Sequence, residues 1–146
     1  MDLDETVEQG RRAWNDFAHG SPDPIKSMFS HRDDVSLANP WGPPWRGWAQ
    51  VSQALDASAS RYRDGALLAV DEVARYVTPD LACFVQIERW LARVEGGADL
   101  APFALRVTNV YRREDLSWRV VHRHADPITT PQTPDAALGL VLRHDP

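Results

Sequence analysis

Two short segments hold the side chains best suited to moving a proton. Toward the C-terminal end, Trp118, Val120, His122, His124 and Asp126 fall at every second position, and in an extended strand such residues share one face. The alternate set, Arg119, Val121, Arg123 and Ala125, is charged enough to read as the outward or subunit-facing side. Histidine changes charge between about pH 5 and 8, so two on an inner face can shuttle protons near neutrality. Upstream, Glu88 stands in Val85-Gln86-Ile87-Glu88-Arg89-Trp90. A carboxylate beside Ile87 and Trp90 in an apolar enclosure is pushed toward the proton affinity of a general base. This set offers isomerisation, cyclisation or elimination, with Glu88 or His124 as base. Arg106, Asn39 or a histidine would then stabilise developing negative charge. Each residue also has a plainer reading: Glu88 ion-paired to Arg106 or Arg89 on a solvated face, and the histidines hydrogen-bonded between strands.

His122, His124 and Asp126 carry metal-ligating atoms, but alternate strand positions lie about 6.5–7 Å apart and cannot converge on one ion. No metal and no other cofactor is expected. Three of the six tryptophans, Trp41, Trp45 and Trp48, fall within eight residues. Trp41 and Trp45 lie among prolines and glycines in Trp41-Gly42-Pro43-Pro44-Trp45-Arg46-Gly47, a stretch that breaks both helix and strand ladders. Their rings need an apolar volume, and a ligand cavity would supply it. Trp48, in register with Val51, reads as core. Trp14 and Trp90 add aromatic area. Thr108 and Asn109 take opposite faces of one strand, and the turn at Asp115-Leu116 decides which one neighbours the histidines. The substrate-contacting candidates are therefore Trp14, Asn39, Trp41, Trp45, Trp90, Thr108 and His122, beside the catalytic candidates Glu88, His124 and Arg106. Cys83 beside Phe84 reads as a small buried hydrophobe.

The elements that must position these residues follow from periodicity. The chain has 146 residues, 43% of them hydrophobic, which suits one domain with one core. Apolar residues recur at helical spacing from Asp4 to His19, with Gly20 as a stop. A short helix follows Ser21-Pro22, and a third runs from about Trp48 to Tyr62. Val35-Ser36-Leu37 reads as a short strand. After Gly65 the period becomes two, giving strands at about 67–78, 81–94, 101–113 and 117–125 joined by short links, hence antiparallel hairpins. The net charge of −5 argues against a nucleic-acid partner. No apolar run of 18 residues and an acidic Met1-Asp2-Leu3-Asp4-Glu5 start argue against a membrane span or signal peptide, so a cytoplasmic location is expected. One cysteine excludes an internal disulfide.

Phe29-Ser30-His31-Arg32-Asp33-Asp34-Val35, Asn39-Pro40-Trp41-Gly42 with Gly47, Arg106-Val107-Thr108-Asn109-Val110-Tyr111-Arg112-Arg113 and Trp118-Arg119-Val120-Val121-His122-Arg123-His124 carry a resemblance. In this order of elements the chain resembles the SnoaL-like and ketosteroid-isomerase-like branch of the nuclear transport factor 2 fold. The resemblance implies an α+β cone: a strongly bent antiparallel sheet with three N-terminal helices enclosing an apolar pocket. It divides the chain into a domain at 1–126 and a tail at 127–146 that could contact a partner. It also implies a homodimer through the sheet, a reading favoured by apolar Val107, Tyr111 and Val121. Ketosteroid isomerases place a catalytic aspartate immediately before the proline where this chain has Asn39, and an amide cannot act as that base. Their helical tyrosine is absent, with Trp14 the nearest aromatic. Steroid-type isomerisation by the usual pair is thus disfavoured. The function expected is cofactor-independent acid–base chemistry on a small apolar or aromatic molecule. The alternatives are a non-catalytic sensing or association module and a hydrolase activating water in the pocket.

Overall fold

The computed structural model describes residues 1–142. Helix α1 (Leu3–Ala18) opens with a capping box in which Asp2 and Glu5 each accept the other's backbone N–H, satisfying two of the donors a helix start leaves unpaired. It buries Thr6, Gly10, Ala13, Trp14, Phe17 and Ala18 along one stripe. Gly20, at φ +90°, turns the chain out of the helix. Helix α2 (Asp23–Lys26) is a single turn that buries Ile25, and α3 (Trp48–Ala59) buries Val51, Ala54, Leu55, Ser58 and Ala59. The four long strands are β3 (Tyr62–Val77), β4 (Leu81–Val94), β5 (Ala101–Glu114) and β6 (Ser117–Asp126). Strand β1 (Ser36–Ala38) lies on β6, and β2 (Trp45–Arg46) lies on β1. The stretch expected to hold no regular structure thus contributes a two-residue strand: Leu37 pairs with Trp45 and Ser36 with Arg46. A last helix, α4 (Pro134–Leu142), occupies the tail.

The sheet runs β2-β1-β6-β5-β4-β3 and is curved and unclosed. All pairs are antiparallel except β1 with β6, which is parallel. Three register shifts along β3 bend the sheet around α1, since each extra residue kinks its strand and increases the twist. At Gly65 a side chain would meet the Leu91 carbonyl at 2.4 Å, so only glycine lets β3 and β4 approach there. The inner face carries the core, with α1 and α3 closing it. No helix among the described residues is long and apolar enough to cross a membrane.

The β5–β6 hairpin decides which chemistry faces inward. Asp115 and Leu116 both hold positive φ, 49° and 70°, the conformation a two-residue turn of this hand requires. Glu114 then pairs with Ser117, and pairing continues to Tyr111 with Val120. The next pair is Val110 with His122. Val121 is an extra residue, a bulge that reverses the alternation. Trp118 and Val120 point inward before it, Arg123 and Ala125 after it. His122, His124 and Asp126 are carried to the outer face, opposite the inner position expected for them.

Candidate functional site

Strand β4 alternates cleanly, burying Ala82, Phe84, Gln86, Glu88, Trp90 and Ala92 on the inner face. Glu88 is 1% exposed and Arg123 only 3%. The guanidinium grips the carboxylate in bidentate fashion, Nη2 to Oε1 at 2.7 Å and Nη1 to Oε2 at 3.0 Å. Gln86 donates to Oε2 at 2.9 Å and the Trp90 indole N–H to Oε1 at 3.1 Å. Each carboxylate oxygen therefore accepts two bonds, which fills its in-plane lone pairs. Arg123 also donates to Asn109 Oδ1 at 3.3 Å, and its guanidinium carbon stands 4.0 Å from the Trp14 ring centre. That stacking leaves a cation over an aromatic face in a dry setting, where the attraction is strongest. The Nε–H and one Nη2–H of Arg123 have no protein acceptor among the described residues.

Those donors belong to a side chain that lines an aromatic cavity beneath α1 and α3. Its polar groups come from Arg123, Asn39, Ser58 and Tyr62, and its apolar walls include Trp14, Trp41, Trp90 and Phe103. Trp90 and Phe103 stack at 6.1 Å, Phe103 and Tyr62 at 5.8 Å, and Trp14 meets Trp90 edge-on at 6.3 Å. The cavity's free volume is about 30 Å³, room for roughly two waters. Trp41 forms the outer wall and is 38% exposed. Its indole N–H donates to Ser58 at 3.1 Å, its backbone N–H donates to Asn39 Oδ1 at 3.0 Å, and Arg61 lies over its outer face. Burial raises the Tyr62 phenol above its ordinary value, against the opposing influence of Trp41 and Arg123, so Tyr62 is a neutral hydroxyl.

The sequence candidates thus separate into two groups. Trp14, Asn39, Trp41 and Trp90 meet at the cavity. Glu88 joins them from behind, through Arg123. Trp45 packs against the core from β2 and does not line the cavity. His122, His124, Thr108 and Arg106 lie together on the outer face. Thr108 does neighbour His124, but on the outer face: the alternation of β5 points Thr108 outward, and the bulge at Val121 brings His124 out beside it. There Arg106 forks onto Asp126 at 2.8 and 3.1 Å, and His124 Nε2 lies 3.1 Å from the same carboxylate. Burial acts to raise Asp126, yet the bonds from Arg106 and the Ile128 N–H hold it below the usual carboxylate range. His122 accepts or donates to Ser36 Oγ at 2.8 Å, and burial together with nearby His124 lowers its proton affinity. Glu88 pairs with neither Arg106 nor Arg89. Val107 and Tyr111, expected on the outer face, are buried inside. Arg123, Tyr62, Phe103 and Asn109 are cavity or network residues that the period-two reading missed, and only knowledge of the bulge would have turned Arg123 inward.

The family model for the SnoaL-like domain matches residues 9–129. The chain belongs to the SnoaL-like family. No curated protein matches it in sequence. Solved structures similar to this SnoaL-like chain include a nuclear transport factor 2-like superfamily protein from Salmonella enterica, at 17% identity and TM-score 0.72, with 90% of this chain and 92% of that chain covered. Another is a ketosteroid isomerase-like protein from Erwinia carotovora, at 14% identity and TM-score 0.70, covering 88% and 95%. A third, from Thiobacillus denitrificans, is provisionally assigned as a calcium/calmodulin-dependent protein kinase type II association domain. It shares 25% identity at TM-score 0.68, covering 87% and 95%. The SnoaL-like cone therefore accounts for the curved sheet and the helices packed on it.

Proposed function

We propose that this domain binds a small apolar or aromatic molecule bearing one carbonyl-type oxygen. The observation carrying this reading is Arg123, whose charge is balanced by Glu88 while two of its N–H donors stay open in an aromatic cavity. A balanced guanidinium suits a neutral carbonyl or a developing enolate better than a permanent anion. Proton-transfer chemistry in the cone would use those donors to hold the oxyanion. In that scheme Glu88 positions Arg123, because its lone pairs are occupied, and the base is water or a group of the substrate. A ligand of that size would displace the Trp41 side chain, which forms the cavity's outer wall and is partly exposed.

Titrating acetophenone and ethylbenzene while following tryptophan fluorescence tests this reading. Saturable binding with a preference of about tenfold for the ketone is expected, the scale of one hydrogen bond to a charged group. Equal affinities, or no saturable binding, contradict it. The second reading, a non-catalytic association module, draws support from the small cavity and the saturated Glu88. In either reading we expect a homodimer through the outer sheet face, where Cys83, Val85, Ile87 and Val110 are only partly covered. Light scattering returning about 16.4 kDa at micromolar concentration would count against that dimer.

A further inference from the structure

A second cavity lies on the other side of Trp14, between α1 and strands β3 to β5, with a volume of about 300 Å³. It shares Trp14 with the aromatic cavity but differs from it in chemistry. Its floor is formed by Gln86, Glu88, Asn109 and Tyr111, all more than nine-tenths buried. Glu88 is fully bonded, and Gln86 and Asn109 each spend one end of their amide on the Glu88–Arg123 network. What remains is the Gln86 side-chain carbonyl, the Asn109 NH₂ and the Tyr111 hydroxyl, none with a protein partner among the described residues. None of these atoms is sealed from solvent-sized space, since only Arg61 Nε is both occluded and unpartnered among the described residues. Polar groups that water reaches are satisfied by it, and a ligand that displaces that water must reproduce its hydrogen bonds. Three such groups converging on one cavity point to an occupant that bonds them.

The placement defines that occupant. In the β4–β5 pairing Phe84 stands opposite Asn109 and Gln86 opposite Val107, which makes Gln86 and Asn109 diagonal neighbours on one face, within about 7–8 Å at the backbone. One supplies an acceptor and the other a donor, with the Tyr111 hydroxyl able to do either. The walls above them, Val7, Leu67, Val70 and Phe84, are apolar. At the rim, Arg75 is held by Asp4 and Glu72 and Arg11 lies 3.9 Å from Glu8, so each rim cation faces a carboxylate and an anion gains little there. Gly10 leaves the approach to Tyr111 open: a Cβ there would stand 3.9 Å from the hydroxyl oxygen.

We infer that this cavity is a second binding site, for a small uncharged ligand with a carboxamide-type group on an apolar or aromatic body. The amide N–H would be received by Gln86 and its carbonyl by Asn109 and Tyr111.

The test uses the full chain and benzamide as probe, with benzoate and toluene as controls, followed by chemical shifts of backbone and side-chain amides. Benzamide is expected to shift the Asn109 and Gln86 side-chain NH₂ and Gly10 signals saturably, benzoate and toluene to do so at least tenfold more weakly. Tyr111→Phe keeps the ring that packs edge-on against Phe84 at 5.5 Å and should weaken benzamide at least threefold. Gly10→Ala should weaken it as well, while raising the melting temperature through its better helix propensity. Unsaturable shifts, equal response to toluene, or unchanged affinity in both variants would overturn the inference. Shifts confined to Trp41 and Arg123 would also overturn it, by placing benzamide in the aromatic cavity instead.

Discussion

Two arginine–carboxylate forks sit on opposite faces of the same sheet. Arg123 and Glu88 meet inside the cone, both almost wholly buried, with every carboxylate lone pair filled. Arg106 and Asp126 meet outside with similar bond lengths, but the arginine is half exposed. Geometry hardly distinguishes them; solvent does. Water screens the outer pair and competes for it, so such pairs contribute about 0–1 kcal/mol. Inside, breaking the pair strands a charge, although the intact pair repays little more than its own desolvation.

The largest effect expected from this contrast is on stability. Arg123→Met should lower the unfolding free energy in urea by about 3–5 kcal/mol, because Glu88 stays buried without its cation. Pairing it with Glu88→Leu should recover part of that loss, since no charge is left buried, although the Gln86 NH₂, the Trp90 indole N–H and Asn109 Oδ1 lose their partners. Arg106→Ala should cost no more than about 1 kcal/mol. A large loss in Arg106→Ala, or no recovery in the paired variant, would break the comparison.

A smaller effect is expected at the aromatic wall. Trp41→Ala should weaken a cavity ligand by about 1–2 kcal/mol, less than full burial of the ring because Trp41 is partly exposed. Trp45→Ala should leave that affinity unchanged and lower stability instead, as β2 loses its packing. Fluorescence titration and urea melts on both variants separate the two roles.

The smallest effect concerns the outer face and pH. The folded state depresses the proton affinity of His122, through burial first and His124 second. The unfolded chain therefore takes up a proton at His122 before the folded one does. Stability from this source is complete above the unfolded value of about 6.5 and declines as pH falls from there toward the folded value. His122→Asn should flatten that part of the stability–pH curve, read by urea midpoints between pH 7.5 and 5. An unchanged slope would remove His122 as its source.

Much of this architecture is legible in the residues. The period change after Gly65, the short links at Pro79-Asp80 and Asp115-Leu116, and the three helical segments give the cone its elements, because alternation and turn chemistry are local. The chain's β1–β6 parallel pairing and the two-residue β2 are not local, and no spacing announces them. The site was legible in part. Trp14, Asn39, Trp41 and Trp90 reach one cavity because large aromatics and a strand-to-loop join mark it. Strict alternation along β6 puts the histidines inside, and one extra residue at Val121 reverses it; Thr108, which pairs with His124, is on the outer face of β5. A bulge shifts a whole strand's chemistry from one face to the other. That is why an arginine, which composition assigns to the surface, forms the polar centre of the core.

The central claim is that Arg123 gives the aromatic cavity its preference for an oxygen atom, and ligand selectivity in the paired Glu88→Leu/Arg123→Met variant tests it most directly. Acetophenone and ethylbenzene are titrated against the parent chain and the paired variant, each first shown to unfold cooperatively. The account predicts that the roughly tenfold preference for the ketone disappears while the affinity for ethylbenzene holds or rises. A ketone preference that survives removal of both charges would contradict it.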